Sequence, residues 1–119
     1  RALDGALAGI YSNNGQQCLA GSRILVQRDI ADAFIERFVE RARRIRIGDP
    51  MDPATELGPL AFRGHLERVL GYVDVARAEG ATLLTGGRRP PGFPRGYYME
   101  PTAVLARDNT AAAEELSRT

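Results

Sequence analysis

Ile30, Phe34, Phe38, Ala42 and Ile45 recur every three or four residues, a spacing that places all five on one face of an α-helix. Glu36, Arg37, Glu40, Arg41, Arg43 and Arg44 fill the other faces. Packing of the apolar face, not intrinsic propensity, gives most helices their stability, so this stripe commits the chain to a packed domain. Asp29 is placed to cap the start of the helix. Glu40 and Arg44 lie in i,i+4 reach, and the arginines gathered near the C-terminal end suit the negative pole of the helix dipole. No aromatic residues interleave with them to stack on bases, so the basic run reads as a solvated face rather than a nucleic-acid patch.

A second stripe, Leu66, Val69, Leu70, Val73 and Ala76, predicts another amphipathic helix, stopped at Gly80. Residues 48–59 (GDPMDPATELGP) carry three prolines and two glycines and predict an ordered, turn-rich loop between the two helices. Ahead of both, Leu3, Leu7 and Ile10 predict a helix over about residues 2–12. It should yield at Asn13-Asn14-Gly15, where amide side chains and a glycine favour positive φ. That pattern is under way from the first residue, so the chain is expected to be a piece of a longer protein. Residues 22–27 (SRILVQ) read as a buried strand, 82–87 (TLLTGG) as a strand and turn, and 97–105 as a third extended segment. Residues 88–96 (RRPPGFPRG) read as a proline-rich, basic surface loop. Two helix-to-strand alternations place the chain in the α/β class, as a partial parallel sheet flanked by helices. No G-x-G-x-x-G follows a strand, so the chain carries no dinucleotide-binding fold of its own.

At 119 residues, 44% hydrophobic and 26% charged, the chain can bury one modest core and lies far from the composition of disordered proteins. It has no apolar run long enough to cross a bilayer and no basic-then-apolar leader, so no membrane partner is expected. All sixteen basic residues are arginine against fifteen acidic ones, a net charge of +1, which offers no field for steering nucleic acid. Without lysine, no Schiff base or phosphate-binding lysine is available. The single cysteine, Cys18, cannot form an internal disulfide. No C-x-x-C or Cys/His cluster suggests a metal site, and a reducing cytoplasm fits best.

Cys18 therefore poses the main chemical question, because a lone cysteine usually behaves as a small packing residue. Its surroundings answer it. Tyr11, then Gly15-Gln16-x-Cys18-x-Ala20-x-Ser22-Arg23, resembles the cysteine motif of the NAD(P)-dependent aldehyde dehydrogenase superfamily. IRIGDPMDPATELGPL, HLERVLGYVDVARAEGATLLTGG and YYMEPTAV are similar to the segments that follow that motif, so the resemblance runs from Ala2 to about Glu115. Within the family, CLAGSRILVQ and HLERV look most like the branch acting on hydroxymuconic-type semialdehydes and betaine aldehyde.

The resemblance implies that residues 1–119 are the nucleophile-bearing part of a catalytic domain, with the cofactor-binding domain absent. It implies Cys18 as the catalytic nucleophile, Glu115 as a ligand of the nicotinamide ribose through the family's E-E-x-F-G-P motif, and His65 as a second ribose contact. On its own residues, His65 is equally well a surface helix position. NAD or NADP is the implied cofactor, a small-molecule aldehyde the substrate, and a homo-oligomer the intact assembly. Leu116-Ser117-Arg118-Thr119 departs from the family's x-F-G-P. The general-base glutamate and the oxyanion-hole asparagine of the family have no counterpart here, so the chain alone is expected to be inactive. The small neighbours Leu19-Ala20-Gly21 leave room for a substrate at the thiol, and backbone N–H groups of a turn can stabilise an oxyanion. A non-enzymatic interaction module that keeps the scaffold and a thiol-dependent esterase using Cys18 remain as the other readings.

Overall fold

All three helices form where the apolar periodicity places them. In the computed structural model, which describes residues 1–106, α1 spans Ala2–Tyr11, α2 Arg28–Arg43 and α3 Arg63–Ala78. Asp29 lies inside the first turn of α2 rather than at its cap, which is Gln27 and makes no side-chain cap bond. The Asp29 carboxylate there still faces the positive pole of the helix. α3 stops as expected, with Gly80 at φ +80°, a conformation that costs glycine nothing. No described helix is long and apolar enough to cross a membrane.

The stripe on α2 meets α1. Leu7, Phe38 and Ala42 bury together, with Leu3, Ala6, Ile10, Tyr11 and Phe34 packed around them. The Phe38 ring centroid lies 6.0 Å from that of Tyr11 and 6.1 Å from that of Phe34. An Arg41–Asp4 ion pair at 2.9 Å bridges the two helices at the surface. The stripe on α3 builds a second cluster, Leu60, Leu66, Val73 and Met99, flanked by Val69, Leu70 and Leu83.

Strands β1 (Thr82–Thr85) and β2 (Ala103–Leu105) form one two-stranded sheet. They run antiparallel, with Thr82 opposite Leu105, Leu83 opposite Val104 and an irregularity between Leu83 and Thr85. This corrects the expected parallel pairing. Parallel neighbours need a crossover connection, usually a helix, and the chain returns from β1 to β2 through a loop that contains none. Arg88 donates to Glu100 across that loop, and the Phe93 ring packs at a tilt against Tyr98, centroids 4.5 Å apart, so the proline-rich segment is folded back on itself. The only parallel pairing described is an isolated bridge between Ile47 and Leu57.

Residues 22–27 depart from expectation as well. They form no strand and pair with none among the described residues, and Leu25 is 92% exposed. Three consecutive apolar residues become a buried strand only when neighbours cover both faces, and among the described residues nothing does. The architecture remains that of a partial α/β domain, small helices packed on a small sheet.

Candidate active site

Tyr11 closes α1, and the chain then turns sharply. Asn13 and Asn14 take left-handed conformations, φ/ψ 50/36° and 58/29°, and Gly15 follows at φ +71°. Three consecutive left-handed residues are rare because a Cβ crowds the following carbonyl. Asn tolerates the region best among residues with side chains. The Asn13-Asn14-Gly15 sequence thus supplies the residue types this turn requires, as the sequence implies.

Cys18 lies three residues further on, exposed, in a turn closed by the Ala20 N–H donating to the Gln17 carbonyl at 3.1 Å. The loop is anchored at its far end, where the Gly21 N–H donates to the Gly9 carbonyl at 2.8 Å. Its near end is held by side chains. Asn14 Nδ2 donates to the Pro59 carbonyl at 2.8 Å, and Asn14 Oδ1 accepts from the Gly58 N–H at 3.1 Å. Gln16 Oε1 accepts from the Ala61 N–H at 3.0 Å. The loop that carries the thiol is therefore fastened to the segment that leads into α3.

His65 stands in the first turn of α3, partly exposed, with its ring 6.0 Å from that of Phe62. It lines a cavity of about 240 Å³ together with Tyr11, Asn14, Gly15, Met99 and Glu100. Asn14 and Gly15 bring the cysteine loop to this wall, but Cys18 itself does not line it. Glu115 lies outside the described residues. Among the described residues no group of His, Cys, Asp and Glu side chains could hold a metal ion.

Tyr11, Asn14 and Gln16 shape the site: Tyr11 and Gln16 stand in the cysteine motif without a role of their own there, and Asn14 appears in the sequence only as part of a turn. Tyr11 donates its hydroxyl to the Thr102 carbonyl at 3.0 Å, and burial pushes its phenol up to about 12. The Asn-Asn-Gly run signalled a turn. Its partners, 44 and 45 residues away, carry no local signal.

The aldehyde dehydrogenase family profile matches residues 1–117, and the chain belongs to the aldehyde dehydrogenase family. Betaine aldehyde dehydrogenase of Brucella anthropi is 45% identical over 119 residues, covering 97% of this chain and 24% of that protein. A crystal structure from Burkholderia cenocepacia, assigned as an aldehyde dehydrogenase, superposes with a TM-score of 0.90 at 54% identity, over 92% of this chain and 23% of the other. Betaine aldehyde dehydrogenase of Staphylococcus aureus, solved with NAD+ and a modified cysteine, gives 0.87 at 43% identity, over 90% of this chain and 22% of the other. The chain thus spans about a quarter of the length of the relatives it matches.

Proposed function

We propose that this chain is the nucleophile-bearing segment of the catalytic domain of an NAD(P)-dependent aldehyde dehydrogenase, whose intact form, a homo-oligomer in the cytoplasm, converts a small aldehyde to a carboxylate. The observation that carries the reading is Cys18. It is the chain's one thiol, exposed on a turn held at both ends, in a segment matched by the family from residue 1 to residue 117.

In this reading the Cys18 sulfur attacks the aldehyde carbon and forms a thiohemiacetal, with the proton passing to the former carbonyl oxygen. Loss of hydride from that carbon to the nicotinamide, with release of the hydroxyl proton to water, leaves a thioester, which water opens to the carboxylate and the free thiol with release of a further proton. A bound nicotinamide supplies the hydride acceptor. The chain's residues suit one end of such a cofactor. The half-open cavity beside His65, about 240 Å³, is smaller than the roughly 300–1,000 Å³ of typical ligand pockets. His65 and Glu115 are the residues assigned to the ribose. The pyrophosphate is left to the cofactor-binding domain, for which this sequence has no glycine-rich turn.

The test uses the full-length protein with NAD or NADP and a panel of aldehydes that includes betaine aldehyde and a hydroxymuconic-type semialdehyde. Reduced nicotinamide and carboxylate should form in equal amounts, and Cys18→Ala should abolish both while leaving cofactor binding intact. No cofactor reduction with any aldehyde, or turnover that survives Cys18→Ala, would sink the reading.

A further inference from the structure

Asn14 holds a left-handed conformation that few residues with side chains adopt, and both polar atoms of its side chain are used, reaching across the chain. Nδ2 donates to the Pro59 carbonyl at 2.8 Å and Oδ1 accepts from the Gly58 N–H at 3.1 Å. Asn13, its equally left-handed neighbour, bonds only locally, donating from Nδ2 to the Gln16 carbonyl at 3.2 Å. Gln16 adds a second long-range point through the Ala61 N–H. Residues 58, 59 and 61 lead directly into α3, which begins at Arg63 and carries His65 in its first turn.

Two amide side chains thus tie the turn ahead of Cys18 to the entry of the helix that presents His65. Backbone strain at a functional site persists only where surrounding contacts over-determine it, and here the contacts that hold Asn14 are also the ones that connect the two candidate halves of the site. A Cβ at Gly58 would crowd Pro50 Cγ at 3.2 Å but meet Asn14 Nδ2 only at van der Waals distance, 3.8 Å.

We infer that Asn14 is a positioning residue, setting the Cys18 thiol in register with the cofactor face marked by His65; the inference rests on the dehydrogenase reading above. Hydride transfer depends on the distance between the carbon on sulfur and its acceptor, and small misplacements of reacting groups are costly. Hydrolysis of an activated ester at the same thiol involves no cofactor, so it needs the nucleophile but not its register with α3.

Two variants of the full-length enzyme separate these requirements. Asn14→Gly keeps the left-handed backbone at no steric cost and removes both side-chain bonds. Asn14→Asp keeps the acceptor for the Gly58 N–H and turns an oxygen toward the Pro59 carbonyl in place of a donor. With aldehyde and cofactor, kcat of each variant should fall about ten-fold or more, whereas para-nitrophenyl acetate hydrolysis without cofactor should stay within about two-fold of wild type. Equal loss of both activities would reduce Asn14 to a folding residue, and unchanged dehydrogenase kcat would deny it any role. Either result overturns the inference while leaving the dehydrogenase reading in place. Wild-type protein that reduces no cofactor with aldehyde overturns the reading, and the inference with it.

Discussion

The Tyr11 hydroxyl donates to the backbone carbonyl of Thr102 at 3.0 Å, joining the last residue of α1 to the residue just ahead of β2. Thr102 in turn accepts from the Gly87 N–H through its own hydroxyl. Tyr11→Phe removes one partly buried donor and leaves the Thr102 carbonyl without it, so unfolding free energy should drop by about 1 kcal/mol, measured by urea denaturation at neutral pH.

The same phenol predicts an alkaline dependence. Its ordinary value is 10.0 and burial raises it to about 12, so between these values the folded chain holds a proton that the unfolded chain has released. Stability from this group is fully present below pH 10 and is lost as pH rises toward 12. Urea midpoints followed across that window should fall less steeply in Tyr11→Phe than in wild type. Parallel slopes would show that Tyr11 is not the titrating group.

Two glycine substitutions should act in opposite directions. A Cβ on Gly86 would stand 2.3 Å from the Pro101 carbonyl oxygen at φ +71°, so Gly86→Ala should cost more than about 2 kcal/mol. Gly71 sits inside α3 with nothing within 4 Å of where its Cβ would stand. Gly71→Ala should add about 0.5–1 kcal/mol by improving helix propensity. Thermal melts of both variants report the sign directly.

Leu66 is 4% exposed and central to the cluster under α3. Leu66→Ala should cost about 2–5 kcal/mol, a large share of the stability of any domain this size. Circular dichroism at increasing temperature should show the melting transition displaced well downward.

Leu25 tests whether residues 1–119 belong to a larger catalytic domain. In the isolated chain it is 92% exposed, so Leu25→Ser should change stability by no more than about 0.5 kcal/mol. In the full-length protein the Ile24-Leu25-Val26 run is expected to be a covered strand, and the same change should cost about 2 kcal/mol or more. Equal effects in the two contexts would contradict the domain assignment.

The helices were legible because their signal is local. The stripe from Ile30 to Ile45 supplies Phe34, Phe38 and Ala42 to one cluster, beside Leu7, and that from Leu66 to Ala76 supplies Leu66, Val69, Leu70 and Val73 to the other, beside Leu60 and Met99, whereas Ile30 at the start of α2 stays exposed. The boundary of α2 was less legible: Asp29 is a good capping residue, yet Gln27 takes that place, since capping preferences shift a helix start by only a residue or two. The left-handed turn at Asn13-Asn14-Gly15 was also readable, as few other residues accept positive φ.

By itself, the sequence determined three amphipathic helices, the turn ahead of Cys18, a turn-rich loop over residues 48–59 and the resemblance that marks the family. Tertiary structure alone decided the antiparallel pairing of β1 with β2, the unpaired state of residues 22–27 among the described residues, and the attachment of Asn14 and Gln16 to residues 58–61. The division follows from range. Helical periodicity and left-handed turns are set within a few residues of chain, where each side chain states its own preference. A strand's partner and an amide's hydrogen-bond acceptor lie tens of residues away, and their free energy exists only once the intervening chain has folded to bring them together.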